Sequence, residues 1–433
     1  MKPDSKKNIF IIFVLLWVFS DFMSFRGIPF VAVRAIQMLA IVWMALSVLP
    51  AKLGSIKSKG LFLKKYVWLF MLVPILSIIP AYLSHGQTPL QTAMVTTVMT
   101  SLFFMYLFFV KLKVTERELI KALTIFAFVY TFFEYFQQFT YPGSYWFGGR
   151  DESEYWGTLE KRQGLWKFYM YGIHYLVIPL FFYWEKLLKK ATYANFLSFL
   201  YLVAGLYGFL ARKFIFALFG CIVFSLLTDK KVKWTHWVVI TLFCAVVYLN
   251  VDSLFAEYIE KTKTDLDAGD DWVRARSTAF FLSYFDDPLC LLFGNGREAG
   301  ESEYGKYIRS LSEYPLFTRR GDIGIYAHFS FYGIVGMVPV VLFIILLFRR
   351  WRSMPLYIKM YFIYTLIQLT VAFPLNSVIG SSTLVIIMYL MELTMKNKKR
   401  LDGESLQLSD HTAHSLDEPQ TKMMMMPKMV GGA

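Results

Sequence analysis

Residues 323–348 read IGIYAHFSFYGIVGMVPVVLFIILLF and contain no Asp, Glu, Lys or Arg. About 20 such residues in a helix cross a hydrocarbon core of about 30 Å, so this stretch predicts a transmembrane helix. Comparable runs recur along almost the whole chain, which is 56% hydrophobic and only 18% charged. Soluble domains carry about a quarter charged residues. The composition therefore excludes a water-soluble globule and predicts an all-α polytopic membrane protein.

Hydrophobic periodicity predicts about twelve transmembrane helices within an integral membrane domain over residues 1–400. Their expected bounds are 9–25, 28–49, 66–83, 90–110, 119–139, 166–184, 194–210, 214–227, 234–250, 323–348, 356–373 and 379–395. Residues 401–433 are mostly polar. This composition is typical of a disordered segment, so we expect a disordered cytoplasmic tail.

Basic residues occur in every second connection between these helices. The clusters fall within 2–7, 52–65, 111–117, 186–190, 230–233, 349–352 and 396–400. By the positive-inside rule these connections and both termini are cytoplasmic. Two long outer loops then remain, at 140–165 and 251–322. Because the net charge of +14 is explained by helix orientation, it does not imply a nucleic-acid partner.

The apolar stretch 194–227 is interrupted only by Arg212 and Lys213. One straight helix of this length would measure about 50 Å, which is too long for a single crossing. A break at Arg212 keeps every later basic cluster cytoplasmic. We therefore predict two helices joined by an outer turn that carries two cations.

Ionisable residues near the outer ends of the predicted helices are candidate functional groups, because charge within a membrane is costly. They are Asp21, Arg34, Glu134, His174, Arg212, Lys213, Asp322 and His328. Together they indicate an outward-facing polar cavity. The alternative is that some of them pair between helices or extend to the interface.

Cations and aromatic residues accompany each other in the outer loops. Arg162 lies in the first loop, Trp166 follows directly after it, and Arg320 lies where the second loop re-enters the membrane. Flat rings stack on sugars while guanidinium groups hold anionic groups, so these three residues are candidates for glycan binding. The alternative for the aromatic residues is an interfacial belt.

A series of short motifs runs through residues 161–348. It begins with Ala211-Arg212 in the outer turn and continues with Pro288 and Gly294-Asn295-Gly296 in the long loop. It ends with Asp322-Ile323-Gly324 and Gly333-Ile334-Val335-Gly336. In this order the motifs resemble the superfamily of O-antigen ligases and Wzy-type polymerases. The resemblance implies a lipid-linked glycan transferase at the outer face of the bacterial inner membrane.

The resemblance also implies roles for particular residues. Arg212, with Lys213 and one of Arg274 or Arg276, would bind the diphosphate of a polyprenyl-diphosphate-linked oligosaccharide. Asp322 or His328 would accept the proton of the attacking hydroxyl. Ligase-like members have a His where this chain has Asp322, and the usual Ser before the turn arginine is Ala211. No cofactor and no metal are expected.

Three functions remain open on the sequence. The first is a polymerase of lipid-linked repeat units for O-antigen or capsule, with membrane lipid and a chain-length regulator protein as its further partners. The second is an O-antigen ligase, which uses the same donor chemistry. The third is a lipid-linked oligosaccharide flippase or other transporter, for which short loops and charges near the bilayer midplane would be typical.

Overall fold

The computed structural model describes residues 3–48, 61–148, 161–162, 164–228, 260, 262–264, 267–269, 272–285, 287–313, 318 and 320–416. The described chain is mostly helical. Before the long loop its helices are α1 (Pro3–Phe19), α2 (Phe30–Val48), α3 (Lys64–Leu83), α4 (Pro89–Leu112), α5 (Glu116–Thr140), α6 (Ile173–Lys189), α7 (Tyr193–Gly208) and α8 (Arg212–Thr228). A two-stranded hairpin, β1 (Lys161–Arg162) and β2 (Leu165–Trp166), precedes α6.

Three short helices lie within the described part of the long loop, and three longer ones follow. The short ones are α9 (Val273–Ser283), α10 (Pro288–Phe293) and α11 (Glu303–Ser310). A 3₁₀ turn at Arg320–Asp322 leads into α12 (Gly324–Arg350), α13 (Leu356–Ile367) and α14 (Val378–Leu416).

Six of the described helices are long and apolar enough to cross a membrane, and three further apolar helices are shorter. The chain is therefore a helical, multi-pass membrane protein. The total of about twelve spans and the cytoplasmic position of the termini remain predictions. The expected span at 234–250 lies outside the described residues.

The structure differs from the sequence prediction at two places. The helix expected from Trp166 begins at Ile173, because Trp166 belongs to a hairpin whose turn contains Gly164 at a positive φ. The last helix continues to Leu416, beyond the predicted end of the last span at residue 395, and the cytoplasmic tail over 401–433 remains a prediction. The break predicted near Arg212 is present, since α7 ends at Gly208 and α8 begins at Arg212.

Buried carboxylates hold together the helix ends that carry the basic clusters. Both oxygens of Glu392 accept hydrogen bonds, from the backbone N–H of Phe62 and Leu63 at 3.2 and 3.0 Å and from the Tyr106 hydroxyl at 3.0 Å. Glu185 accepts from the N–H of Tyr357 at 2.8 Å. These bonds supply acceptors to N–H groups at or just before the first turns of α3 and α13, which otherwise have no helical partner.

Helix α12 is broken at Gly333, whose φ of 61° and ψ of −163° are not helical. The break frees backbone carbonyls in the preceding turn. Those of Ser330 and Phe331 accept hydrogen bonds from the N–H groups of Asn295 and Gly296, at 2.9 and 3.0 Å. The turn Gly294-Asn295-Gly296 is thereby bonded to the broken helix backbone to backbone.

Neither glycine at this contact has room for a side chain. A methyl group on Gly294, which has a φ of 82°, would overlap the carbonyl of Phe331. A methyl group on Gly333 would overlap the backbone of Leu292 and Gly294. The two glycine motifs noted in the sequence therefore meet in the structure and allow the long loop to lie directly on α12.

We expect Gly294→Ala to destabilise the protein by about 3 kcal/mol or more, because it adds a steric overlap to a left-handed backbone conformation. The matched control is Gly86→Ala. Gly86 has a φ of 63° but nothing within 4 Å of the added carbon, so only the conformational cost of about 1 kcal/mol applies. Thermal unfolding in detergent measures both. Equal losses for the two variants would contradict the close contact.

Candidate functional site

Three of the predicted site residues come together at one end of the helix bundle. Lys213, in the first turn of α8, lies within electrostatic range of Asp322 and of Arg274. His174, at the start of α6, lies within range of Lys213 and packs its ring 5.6 Å from that of Phe214. Segments far apart in the sequence thus form one polar cluster.

The cluster carries more positive than negative charge. Within the described part of the chain, neither Lys213 nor Arg274 forms a salt bridge. The Lys213 ammonium lies 5.2 Å from the ring centre of Phe214, and the Arg274 guanidinium lies 5.1 Å from that of Trp272. Among the described residues, Asp322 provides the carboxylate that interacts with Lys213. The excess of cations suits an anionic ligand such as a phosphate group.

The start of α8 adds to this potential. Its first N–H groups have no helical acceptor, and the positive end of its dipole lies at Arg212 and Lys213. The side chain of Arg212, and that of Arg162 in the hairpin, lie outside the described part of the structure. Their predicted contacts with diphosphate and glycan therefore remain predictions.

The sequence gave no reason to choose between Arg274 and Arg276 as the diphosphate ligand, and the structure distinguishes their positions. Two residues along a helix correspond to a rotation of about 200°, so the side chains leave α9 on different sides. Arg274 is the one within electrostatic range of Lys213. Arg276 is half-buried, and its Nε atom has no hydrogen-bond partner among the described residues.

His328 and Asp322 occupy different surroundings. Asp322 is half-exposed in the 3₁₀ turn that precedes α12. His328 is only 2% exposed, with its ring 4.8 Å from that of Tyr332 and 4.9 Å from that of Phe373. It lines a mostly apolar cavity together with Phe70, Phe103 and other residues of α3, α4, α12 and the start of α14. This is the environment of a packed histidine, whereas Asp322 is accessible to a substrate.

Arg320, a candidate for glycan binding, lies inside the protein. Its guanidinium donates to Glu298 and to the Tyr304 hydroxyl, both at 2.9 Å, and lies 4.5 Å from the ring centre of Phe281 and 4.9 Å from that of Phe331. Burial lowers the pKa of Arg320, but the interactions with Tyr304 and Glu298 outweigh this effect. The pKa of Arg320 therefore lies above its ordinary value. In this arrangement Arg320 connects α9, α11 and α12.

Two glutamines that the sequence analysis overlooked hold the aromatic loop, here defined as residues 141–148 and 161–172. The side-chain amide of Gln138 donates to the carbonyl of Trp166 at 2.7 Å and accepts from its N–H at 2.8 Å. Gln137 binds the backbone of Phe147 in the same way. The loop is thus fixed by the last turns of α5, with Lys161 5.7 Å from the ring centre of Trp166. A Gln-Gln pair at the end of an apolar span was the signal available in the sequence.

The connection between α3 and α4 is docked onto the long loop. The ring of His85 stacks on that of Tyr304 at 4.3 Å, and its Nε2 atom lies 3.0 Å from Oδ1 of Asn295. The hydroxyl of Ser84 donates to Asp287, which also accepts from the N–H of Cys290. These donors lower the pKa of Asp287 below its ordinary value. His85 was another contributor that the sequence gave no reason to single out.

The acidic candidates in the first helices differ from each other. Asp21 lies 3.6 Å from Arg34, and Gln37 bonds to both, so this group joins the end of α1 to α2. That arrangement agrees with pairing between helices. Glu134 is fully buried in α5, and neither carboxylate oxygen has a hydrogen-bond partner among the described residues. Within the same residues, no group of three or more His, Cys, Asp or Glu side chains has the geometry to hold a metal ion.

No family model, curated protein or solved structure matches this chain. The expected family therefore rests on the short motifs, and the function rests on the chemistry of the site.

We expect Arg320→Ala to destabilise the protein by about 3 kcal/mol, since it leaves Glu298 and Tyr304 without their partner and removes contacts with two rings. Arg309→Ala is the control, because Arg309 is exposed and makes one 3.3 Å bond to the carbonyl of Gly300. Its expected effect is below about 0.5 kcal/mol. Thermal unfolding in detergent compares the two, and a wild-type transition for Arg320→Ala would show that this contact is not structural.

Proposed function

We propose that this chain is a glycosyltransferase that polymerises lipid-linked oligosaccharide repeat units into a surface polysaccharide, O-antigen or capsule. The reaction would take place at the outer face of the bacterial inner membrane. The observation that carries the proposal is the cluster of Lys213, Arg274 and Asp322, in which two cations that form no salt bridge with another described residue lie near an accessible carboxylate.

The cations suit the diphosphate of a polyprenyl-linked donor. Lysine and arginine form short, charge-assisted hydrogen bonds with phosphate oxygens, and the N-terminus of α8 favours the same negative charge. The polyprenyl chain would remain among membrane lipids beside the helices. Arg212, as the first residue of α8, would join Lys213 in this role.

The reaction would be a direct displacement at the anomeric carbon. Asp322 accepts the proton of an acceptor hydroxyl while that oxygen bonds to the anomeric carbon. The bond from this carbon to the diphosphate oxygen breaks, and the polyprenyl diphosphate leaves with the electron pair. Because its charge is neutralised by the cations, no protein acid is needed. The configuration is inverted without a covalent intermediate.

The aromatic loop is our candidate for holding the growing glycan. Trp166 is half-buried and fixed at its backbone by Gln138, while Lys161 lies near its ring. A ring held in place stacks on a sugar at little entropic cost. This role would belong to Trp166, Lys161 and Arg162.

The location of the charges favours surface chemistry over transport. Lys213 is in the first turn of α8, Asp322 precedes α12, and Arg274 is in the long loop, so none of the three lies in the middle of an apolar helix. Transporter sites usually lie near the bilayer midplane. A ligase would use the same donor site, and the experiment below separates it from a polymerase.

The test uses a strain that lacks this gene and is rescued with wild type, Lys213→Gln, Arg274→Gln or Arg212→Ala. We expect the deletion to leave single repeat units on the surface and wild type to restore long chains. Loss of one charged contact to phosphate should reduce polymer formation about 10- to 100-fold. Lys186→Gln is the matched control, because Lys186 contacts the rings of Phe182 and Tyr183 near the other end of α6 and should behave as wild type.

The lipid-linked precursor distinguishes the alternatives. Long lipid-linked polymer that never reaches its final acceptor would indicate a ligase. Precursor retained on the cytoplasmic side would indicate a transporter and would contradict the proposal. Wild-type chain lengths with Lys213→Gln and Arg274→Gln would reject the diphosphate site while leaving the enzyme class open.

A further inference from the structure

Glu134 is a buried ionisable group that the proposed reaction does not use. It lies in α5 with 0% exposure, and both of its carboxylate oxygens lack hydrogen-bond partners among the described residues. One turn earlier on the same helix, the hydroxyl oxygen of Thr131 also lacks one. A carboxyl group at this depth is rare unless it has a function.

Glu134 packs against the end of α7. The Cγ atom of Glu134 is so near the backbone of Gly208 that a Cβ atom added there would lie 3.0 Å from it. Gly205, one turn earlier, packs in the same way against Thr131. The last carbonyl groups of a helix have no helical donors and form the negative end of its dipole. The Glu134 side chain therefore lies beside the end of α7, where terminal carbonyl groups can accept a hydrogen bond.

The groups around Glu134 do not neutralise a negative charge. No cation of the described chain lies within salt-bridge distance of it. Among the described residues, the ionisable side chains within electrostatic range of Glu134 are Tyr130 and Tyr135 on α5 and Tyr145 in the aromatic loop, whose ring centre lies 4.5 Å from the Arg26 guanidinium. Burial raises the pKa of Tyr145 to about 12, so this hydroxyl stays neutral.

The end of α7 leads directly to the cation cluster. Only residues 209–211 separate Gly208 from Arg212, and Leu210 within this turn has a φ of 55°. Because three residues leave little slack between the two helices, a displacement at the end of α7 would also move the start of α8. Any change at Gly208 should therefore reach Arg212 and Lys213.

We propose that Glu134 is a positioning residue that must carry a proton for the α7–α8 turn to hold its place. The protonated carboxyl group has a hydroxyl to donate to a terminal carbonyl of α7. The ionised form has no donor and faces the negative helix end in a desolvated site, so it displaces the turn. The inference rests on the proposed function in one respect only, namely the identity of the anion that Lys213 binds.

The test measures the turn itself, without glycan substrate. Ala211→Cys places a thiol in the turn, and Lys161→Cys places one at an exposed site in the aromatic loop. Both are labelled in membranes with an impermeant maleimide between pH 6.5 and 8.5. The same ratio measured with Glu134→Gln corrects for any difference between the pKa values of the two thiols, and the parent chain with its native cysteines gives the background.

Between pH 6.5 and 8.5 we expect this ratio in the otherwise wild-type chain to rise at least fivefold more than the ratio measured with Glu134→Gln. The same pH profile in both chains would overturn the proposal. Glu134→Met is a second neutral variant in case Glu134→Gln fails to accumulate. Labelling of the turn can depend on pH even if the surface glycan of the strain does not depend on this gene. That combination would reject the proposed function and leave this inference intact.

Discussion

The backbone contact between the Gly294-Asn295-Gly296 turn and the break in α12 at Gly333 holds the long loop on the helix bundle. A broken helix within a membrane leaves carbonyl groups that need donors. Here the N–H groups of the loop provide them, and only glycine permits the approach. Arg320 strengthens the same junction from inside. With the loop fixed, α9 and Asp322 come within electrostatic range of Lys213.

Charged groups in this protein fall into two classes. Glu392 and Arg320 are buried and hydrogen-bonded to other segments, which they hold together. Lys213 and Arg274 have no salt bridge among the described residues, and Glu134 has no hydrogen bond there. Because a charge in a low-dielectric region is costly unless it is paired, the second class is where binding and regulation are expected.

Much of the helical framework was predictable because long apolar runs have few other stable forms in a membrane. The break before Arg212 was predicted because the apolar stretch is too long for one crossing and is interrupted by two charged residues. The structure has a break there. The late start of α6 was not predictable, because Trp166 is as compatible with a membrane helix as with a hairpin. Its position depends on Gln138, whose role only the folded backbone reveals.

By itself the sequence determined the membrane class, the apolar helices and the ordered motifs, since these depend on composition and local spacing. Only the tertiary structure distinguished Arg274 from Arg276 and placed Arg320 inside the protein. It also showed the environment of Glu134. These differences depend on which distant segments lie within a few ångströms of each side chain. In a chain of uniformly apolar helices, the local sequence does not determine those contacts.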